Sequence, residues 1–137
     1  MSMETFGNPS YGITRVLSDV SFEDAIERVT ARLADNGFGV LTTIDVKSTL
    51  KQKIGADIPK YTVLGACNPG LAHQALQMDP GFGLLMPCSV VVAQQGDGTV
   101  AVSVVEPSAL FRTLDRDGLE AFASMVRDPL QAAMEAL

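Results

Sequence analysis

Residues 61–76 read YTVLGACNPGLAHQAL, and this stretch decides the fold of the chain. Its first six residues are mostly apolar and β-forming, so they predict a strand that stops at Cys67. Asn68 and Pro69 follow as a favourable N-cap and first helical residue, and they predict that a helix begins here. The sequence therefore predicts a thiol at the point where a strand ends and a helix begins.

A second apolar run, residues 84–93, carries the only other cysteine, Cys88. Its alternation predicts a strand in which Cys88 faces the core. Pro87 has no amide donor for a strand ladder, and this favours an edge strand or a bulge. The turn at 96–98 contains Asp-Gly and predicts a β-hairpin with a last strand over 99–105.

The segment before the central stretch predicts two strands with a helix between them. A strand over 11–17 leads to Ser21, which is placed to cap a helix that ends at Gly37. Residues 38–46 alternate between apolar and polar side chains, so they predict a half-buried strand. Residues 47–59 read as an insertion with one short helical turn. Four lysines lie in or beside this insertion, which we call the lysine-rich loop: Lys47, Lys51, Lys53 and Lys60.

After Pro107 the sequence predicts one last helix. Asp117 is placed to cap it, with Glu120 at the capping-box position. Pro129 interrupts the helical pattern, so we expect a kink there or a restart with Asp128 as a new cap.

The predicted order β-α-β-β-α-β-β-α indicates an α+β two-layer sandwich, with a mostly antiparallel sheet and helices on one face. Two split βαβ units favour something near the ferredoxin-like arrangement. In that arrangement another strand separates the two strands that hold the cysteines, so we expect no disulfide. If the two strands were direct neighbours, Cys67 at the end of one and Cys88 near the middle of the other would still be offset. We expect residues 1–10 to be a flexible lead-in and residues 11–137 to form a single α+β domain.

Composition narrows the class of protein. The 137 residues carry a net charge of −6, whereas a nucleic-acid binder is expected to be basic. No apolar run approaches the roughly 18 residues that a membrane helix needs, and the N-terminus lacks the pattern of a secretion signal. We therefore expect a small soluble, cytoplasmic domain with reduced thiols and no nucleic-acid or membrane partner.

Several motifs together resemble the family called domain of unknown function 302. The resemblance covers residues 11–110 and includes both cysteine motifs. Its shared runs are Leu64 to Pro69, Leu71-Ala72, Ala75-Leu76, Asp79-Pro80, Gly83 to Cys88, Val90 to Val92, and upstream Asp45 to Lys51 with Gly55. The resemblance implies a compact α+β domain that associates as a homodimer, and it implies no activity.

Cys67 is the candidate catalytic residue. Free amides and the positive end of a helix dipole stabilise a thiolate at such a position. The alternative is that Cys67 is a small apolar side chain that fills a tight corner, and Asn68 is better explained as a helix cap than as an oxyanion donor. The sole histidine, His73, is not spaced from either cysteine as a metal ligand, so we predict no metal and no cofactor.

We predict a ligand site at this turn, and a small anion or a thiol as its ligand. The lysines would steer an anion toward the helix N-terminus. The candidate ligand-binding residues are Cys67, Asn68, Pro69, Cys88, Tyr61 and Lys51.

Three functions stay open at this point. The leading hypothesis is a homodimeric small-ligand-binding module. The second is a thiol-based redox enzyme or sensor that uses Cys67, and the third is a purely structural dimerisation module.

Overall fold

A five-stranded sheet forms the centre of the computed structural model, which describes residues 3–114 and 116–137. The strands are β1 (Gly12–Leu17), β2 (Gly39–Asp45), β3 (Tyr61–Cys67), β4 (Cys88–Gln94) and β5 (Val100–Val105). The helices are α1 (Phe22–Asp35), α2 (Val46–Ile54), α3 (Pro69–Met78), α4 (Pro107–Phe111) and α5 (Leu119–Glu135). Two short 3-10 segments span Pro80–Leu85 and Arg112–Leu114.

The strand order is β1-β5-β4-β3-β2, and every neighbouring pair is antiparallel. The predicted α+β class with an antiparallel sheet is confirmed, but the ferredoxin-like arrangement is wrong. In the structure α3 and the 3-10 segment Pro80–Leu85 bring the chain back beside β3 in the opposite direction. β3 and β4 are therefore direct neighbours, which puts the two cysteine-bearing strand ends at the same end of the sheet.

Helices α1 and α5 pack against each other over one face of the sheet. The predicted cap of α1 is confirmed, because the Ser21 side chain accepts a hydrogen bond from the Asp24 amide. The core between these layers is made of buried aliphatic side chains, including Val29, Leu33, Val90, Val92, Val102, Val104 and Leu130. None of the described helices combines the length and the apolar character needed to cross a membrane.

The other face of the sheet, called the open sheet face, lies opposite the face that α1 and α5 cover. Strand register assigns these side chains to it: Thr14, Val16, Thr42, Ile44, Tyr61, Val63, Ser89, Val91, Ala93, Ala101, Ser103 and Val105. None of these twelve is charged. Residues 3–10 contact part of this face, where the Phe6 amide donates to Gln95 Oε1 at 3.0 Å. The flexibility expected for residues 1–10 stays a prediction.

The lysine-rich loop contains a full helix instead of the predicted single turn. Asp45 caps α2, since its Oδ1 accepts a hydrogen bond from the Ser48 amide at 2.9 Å. Gly55 ends the helix with a φ of 67°, a conformation that glycine adopts without steric cost. The predicted strand over 38–46 therefore stops one residue early, because Asp45 is already the cap.

β2 is also more exposed than predicted. It lies at the edge of the sheet, and its register shifts between Val40 and Thr42. Such an irregularity breaks the two-residue alternation on which the half-buried prediction rested.

The strand predicted over 84–93 begins later, at Cys88. Leu84 lies in the 3-10 segment Pro80–Leu85 and is 91% exposed, so its match to the alternating pattern was coincidental. The edge-strand reading of Pro87 is wrong, because β4 lies between β3 and β5. Pro87 precedes the first residue of the strand, where a missing amide removes no ladder bond.

The last helix begins and continues differently from the prediction. Its N-cap is Gly118 at a φ of 83°, with no side-chain cap bond, so the predicted Asp117 cap is wrong. α5 runs through Pro129 without a restart at Asp128. Val126 and Leu130 are buried on either side of the proline, and this packing offsets the lost backbone hydrogen bond.

Candidate ligand site at the cysteine end of the sheet

Both cysteines lie at one end of the sheet, as free thiols that are each half-buried. Cys67 is the last residue of β3 and Cys88 is the first residue of β4. The register pairs Ala66 with Cys88 across the two antiparallel strands. Cys67 and Cys88 are therefore diagonal neighbours, which the sequence-based topology had placed apart.

Asn68 and Pro69 start α3 as predicted. The Asn68 side chain accepts a hydrogen bond from the Leu71 amide at 3.0 Å, and the Asn68 backbone carbonyl accepts one from the Ala72 amide at 2.9 Å. Pro69 at the first helical position has no amide donor. Several backbone amide donors that an anion would need at the N-terminus of α3 are therefore already hydrogen-bonded or missing.

A small cavity of about 50 Å³ lies beside the two cysteines, and we call it the thiol cavity. It is bordered by the adjoining ends of β3 and β4, by α3, by the segment Pro80–Leu85, and by α4 and α5. Its walls are almost entirely apolar, with Asn68 as the single amide side chain among them. Lining residues include Ala66, Cys67, Asn68, Leu71, Ala72, Ala75, Met86, Pro87, Cys88 and Val126.

Four phenylalanines line the thiol cavity: Phe38, and a mutually packed group of three, Phe82, Phe111 and Phe122. The Phe82 ring meets Phe111 edge-on, with 5.4 Å between ring centroids, and it lies 5.9 Å from the centroid of Phe122. Sequence reasoning missed all three. Half of the six phenylalanines of the chain meet here from three separate elements, and no local pattern connects them.

The environment of Cys88 keeps its thiol protonated. Burial raises the pKa of Cys88 to about 11, and the neighbouring Cys67 adds to the effect. Buried apolar surroundings disfavour the charged thiolate, which is the physical cause of this direction. Cys88 is therefore a neutral thiol throughout the physiological range.

Two predicted site residues lie elsewhere. Tyr61 is the first residue of β3, six residue steps or about 20 Å from Cys67 at the other end of the strand. Lys51 lies on α2, where its Nζ pairs with Asp57 at 3.1 Å. Neither lines the thiol cavity, whereas Cys67, Asn68 and Cys88 do. Pro69 directly follows Asn68 but does not line the cavity.

Two other lysines of the lysine-rich loop also have local partners. Lys47 donates to the Ile58 carbonyl at 2.6 Å, and Lys60 pairs with Glu23 at 2.6 Å. His73 is exposed on α3. Within residues 3–114 and 116–137 no three His, Cys, Asp or Glu side chains converge as metal ligands would.

The fold and this cavity define a small α+β domain with an apolar, thiol-lined hollow at one end of an antiparallel sheet. The chain belongs to the family described as Domain of unknown function DUF302, whose family model matches residues 13–137. The family resemblance identified from the cysteine motifs is thereby confirmed.

Two other proteins are similar to this chain. The crystal structure of an uncharacterized conserved DUF302 protein from Bacillus stearothermophilus is similar, with a TM-score of 0.86 and 26% sequence identity. The match covers 93% of this chain and 98% of that one. An uncharacterized protein from Aquifex aeolicus (strain VF5) is 28% identical over 89 residues, which are 65% of this chain but only 56% of that relative.

Proposed function

We propose that this chain is a homodimeric small-ligand-binding domain whose ligand occupies the thiol cavity. The observation that carries the proposal is an apolar cavity, lined by both cysteines, at the strand-to-helix turn of Cys67 and Asn68. Concave apolar sites with a few polar groups are the usual setting for small-molecule binding.

The chemistry of the cavity supports a thiol or another small neutral molecule better than an anion. Its walls lack a cation, and Lys51 is engaged with Asp57. An engineered cavity of about 150 Å³ can hold benzene. At about 50 Å³, the thiol cavity suits a ligand of only a few non-hydrogen atoms.

The open sheet face supports the homodimer. Its twelve assigned side chains are uncharged, and Val16 and Ile44 are half or more exposed. A face of this kind can pair with its own copy around a two-fold axis without burying an unpaired charge. We also propose a cytoplasmic location. The acidic net charge of −6 supports the absence of a nucleic-acid partner.

Ligand binding is tested by thermal unfolding in the presence of ethanethiol, dimethyl sulfide or acetate. We expect the two sulfur compounds to raise the unfolding midpoint and acetate to leave it unchanged. Ala72→Leu fills the cavity and should abolish the shift. Gln74→Leu adds the same side chain at an exposed position of α3 and should keep it. A shift that survives Ala72→Leu would rule out this site.

Dimerisation is tested by sedimentation equilibrium. The wild type should sediment as a dimer, and Val91→Glu should sediment as a monomer, because it places a charge in the middle of the open sheet face. Leu76→Glu changes an exposed residue on α3 and should leave the dimer intact. A monomeric wild type would refute the homodimer.

The second candidate function is thiol redox chemistry at Cys67, and it is favoured by the position of both thiols in one cavity. The third, a purely structural dimerisation module, predicts that Cys67→Ser and Cys88→Ala variants keep every cellular phenotype of the wild type.

A further inference from the structure

We propose that Cys67 and Cys88 are a modification site that forms a reversible intramolecular disulfide with a small-molecule disulfide as oxidant. The inference concerns the state of the thiols and does not depend on the proposed ligand binding. It reverses the expectation drawn from the sequence. That expectation rested on a strand order that the structure does not have, and on a place for Cys88 near the middle of its strand, whereas Cys88 is the first residue of β4.

The backbone brings the two residues within disulfide range. Cys88 is the direct partner of Ala66 on the neighbouring antiparallel strand, and Cys67 is the next residue after Ala66. Paired Cα atoms on antiparallel strands lie about 5 Å apart and each residue rises about 3.4 Å, so the diagonal Cα separation is about 6 Å. Disulfides join Cα atoms that are about 4.4 to 6.8 Å apart.

Both residues border the same cavity at this end of the sheet. Regular strand alternation would send Cys67 to the face opposite Ala66 and Cys88. However, β3 ends at Cys67, and the chain turns there into the Asn68 cap, so alternation no longer fixes its direction. Cys67 and Cys88 line the same cavity, and the influence of Cys67 on the pKa of Cys88 agrees with that placement.

The apolar surroundings can accommodate a disulfide, which is uncharged like the two neutral thiols that it replaces. The cavity walls are apolar, and no cation lines them. A thiolate would be buried there without a partner, whereas a disulfide carries no charge. These two residues are also the only cysteines of the chain, so an intramolecular bond has one possible connectivity.

The reaction balances with the small-molecule disulfide RSSR. Deprotonated Cys67 attacks one sulfur of RSSR, forms a mixed disulfide and releases the first thiolate, which takes up a proton as RSH. Cys88 then loses its proton and attacks the Cys67 sulfur, which expels the second thiolate, again protonated to RSH. Two protein thiols are oxidised to one disulfide, and RSSR is reduced to two RSH.

The bond is detected by peptide mapping after incubation of the native chain with oxidised glutathione and blocking of remaining thiols. Residues 61–111 contain no lysine or arginine, so trypsin leaves both cysteines on one peptide. Cleavage before Asp79 separates them. We expect the two peptides to be joined in the unreduced digest, in monomer-sized chains, and to separate after reduction.

The inference requires that the fold promotes the bond between Cys67 and Cys88. We expect the equilibrium constant for oxidation by glutathione to be at least about tenfold larger in the native chain than in urea. An equal constant in both conditions would overturn the inference, as would a mixed disulfide that never proceeds to the internal bond, or cross-links only between chains.

Single variants separate the two steps. Cys88→Ser should stop at a glutathione adduct on Cys67, and neither it nor Cys67→Ser should form a linked pair of peptides. Because the mapping uses the wild type, it decides the question even where a variant folds poorly. If the sulfur compounds do not raise the unfolding midpoint but the disulfide still forms, the proposed function is refuted and this inference is not.

Discussion

The two ends of β3 differ in what surrounds them, although the sequence suggested functional residues at both. At its C-terminal end, Cys67 borders an apolar cavity walled by helices and aromatic rings. At its N-terminal end, Tyr61 lies near the lysine-rich loop, where Lys51 and Lys60 pair with exposed carboxylates. The two ends therefore differ in burial: the candidate site is apolar and partly buried, whereas the lysine-rich end is charged and exposed.

The largest expected contrast comes from removing an aromatic ring at each end. Phe82 is 2% exposed, so Phe82→Ala should lower the free energy of unfolding by about 3 to 5 kcal/mol. Tyr61 is only partly buried, and Tyr61→Ala should cost less than half as much. Urea unfolding measures both, and equal losses would refute the contrast between the two ends.

The pH dependence of stability tests the burial of Cys88. Its thiol titrates near 9.0 when unperturbed, and burial raises the pKa to about 11 in the fold. Between these values only the unfolded chain loses the proton, so the free energy of unfolding falls as pH rises from 9 through 11. The loss should reach at most about 2 to 3 kcal/mol.

Cys88→Ala isolates this contribution. Burial also raises the pKa of Tyr61, but that effect is common to both proteins and cancels in their difference. A Cys88→Ala protein with the same pH profile as the wild type would show that the Cys88 thiol is not perturbed by the fold.

The helix caps offer a matched comparison of smaller size. Asn68 caps α3 beside the thiol cavity, and Asp45 caps α2 at the lysine end. Asn68→Ala and Asp45→Ala should each lower the free energy of unfolding by about 1 kcal/mol. Only Asn68→Ala should change the rate at which iodoacetamide alkylates Cys67. If Asp45→Ala alters that rate equally, the two ends are not independent.

The smallest effect is expected for the exposed ion pair of the lysine-rich loop. Lys51→Ala removes its contact with Asp57, and both side chains are largely exposed. The free energy of unfolding should change by less than about 0.5 kcal/mol in urea unfolding. A larger loss, or a lowered affinity of the thiol cavity for ethanethiol, would give this loop a role that the structure does not support.

Local signals in the sequence were sufficient for the start of α3. Asn68 and Pro69 act through their own side chains and backbone, so the cap and the first helical residue followed from residue type. The same kind of signal failed at Asp117, because the φ of 83° at Gly118 sets the entry into α5 without any side-chain cap. It failed again at Pro129, where packing on both sides holds the helix together.

By itself, the sequence determined the strands and most helices, the thiol at the β3–α3 turn and the family, because these depend on residue type and on short-range periodicity. Only the tertiary structure decided that β3 and β4 are neighbours, that Phe82, Phe111 and Phe122 converge, and that the two cysteines share one cavity. The reason is that alternation specifies which face a side chain occupies but not which strand lies next to it. Those neighbours are set by the total burial that the whole chain achieves.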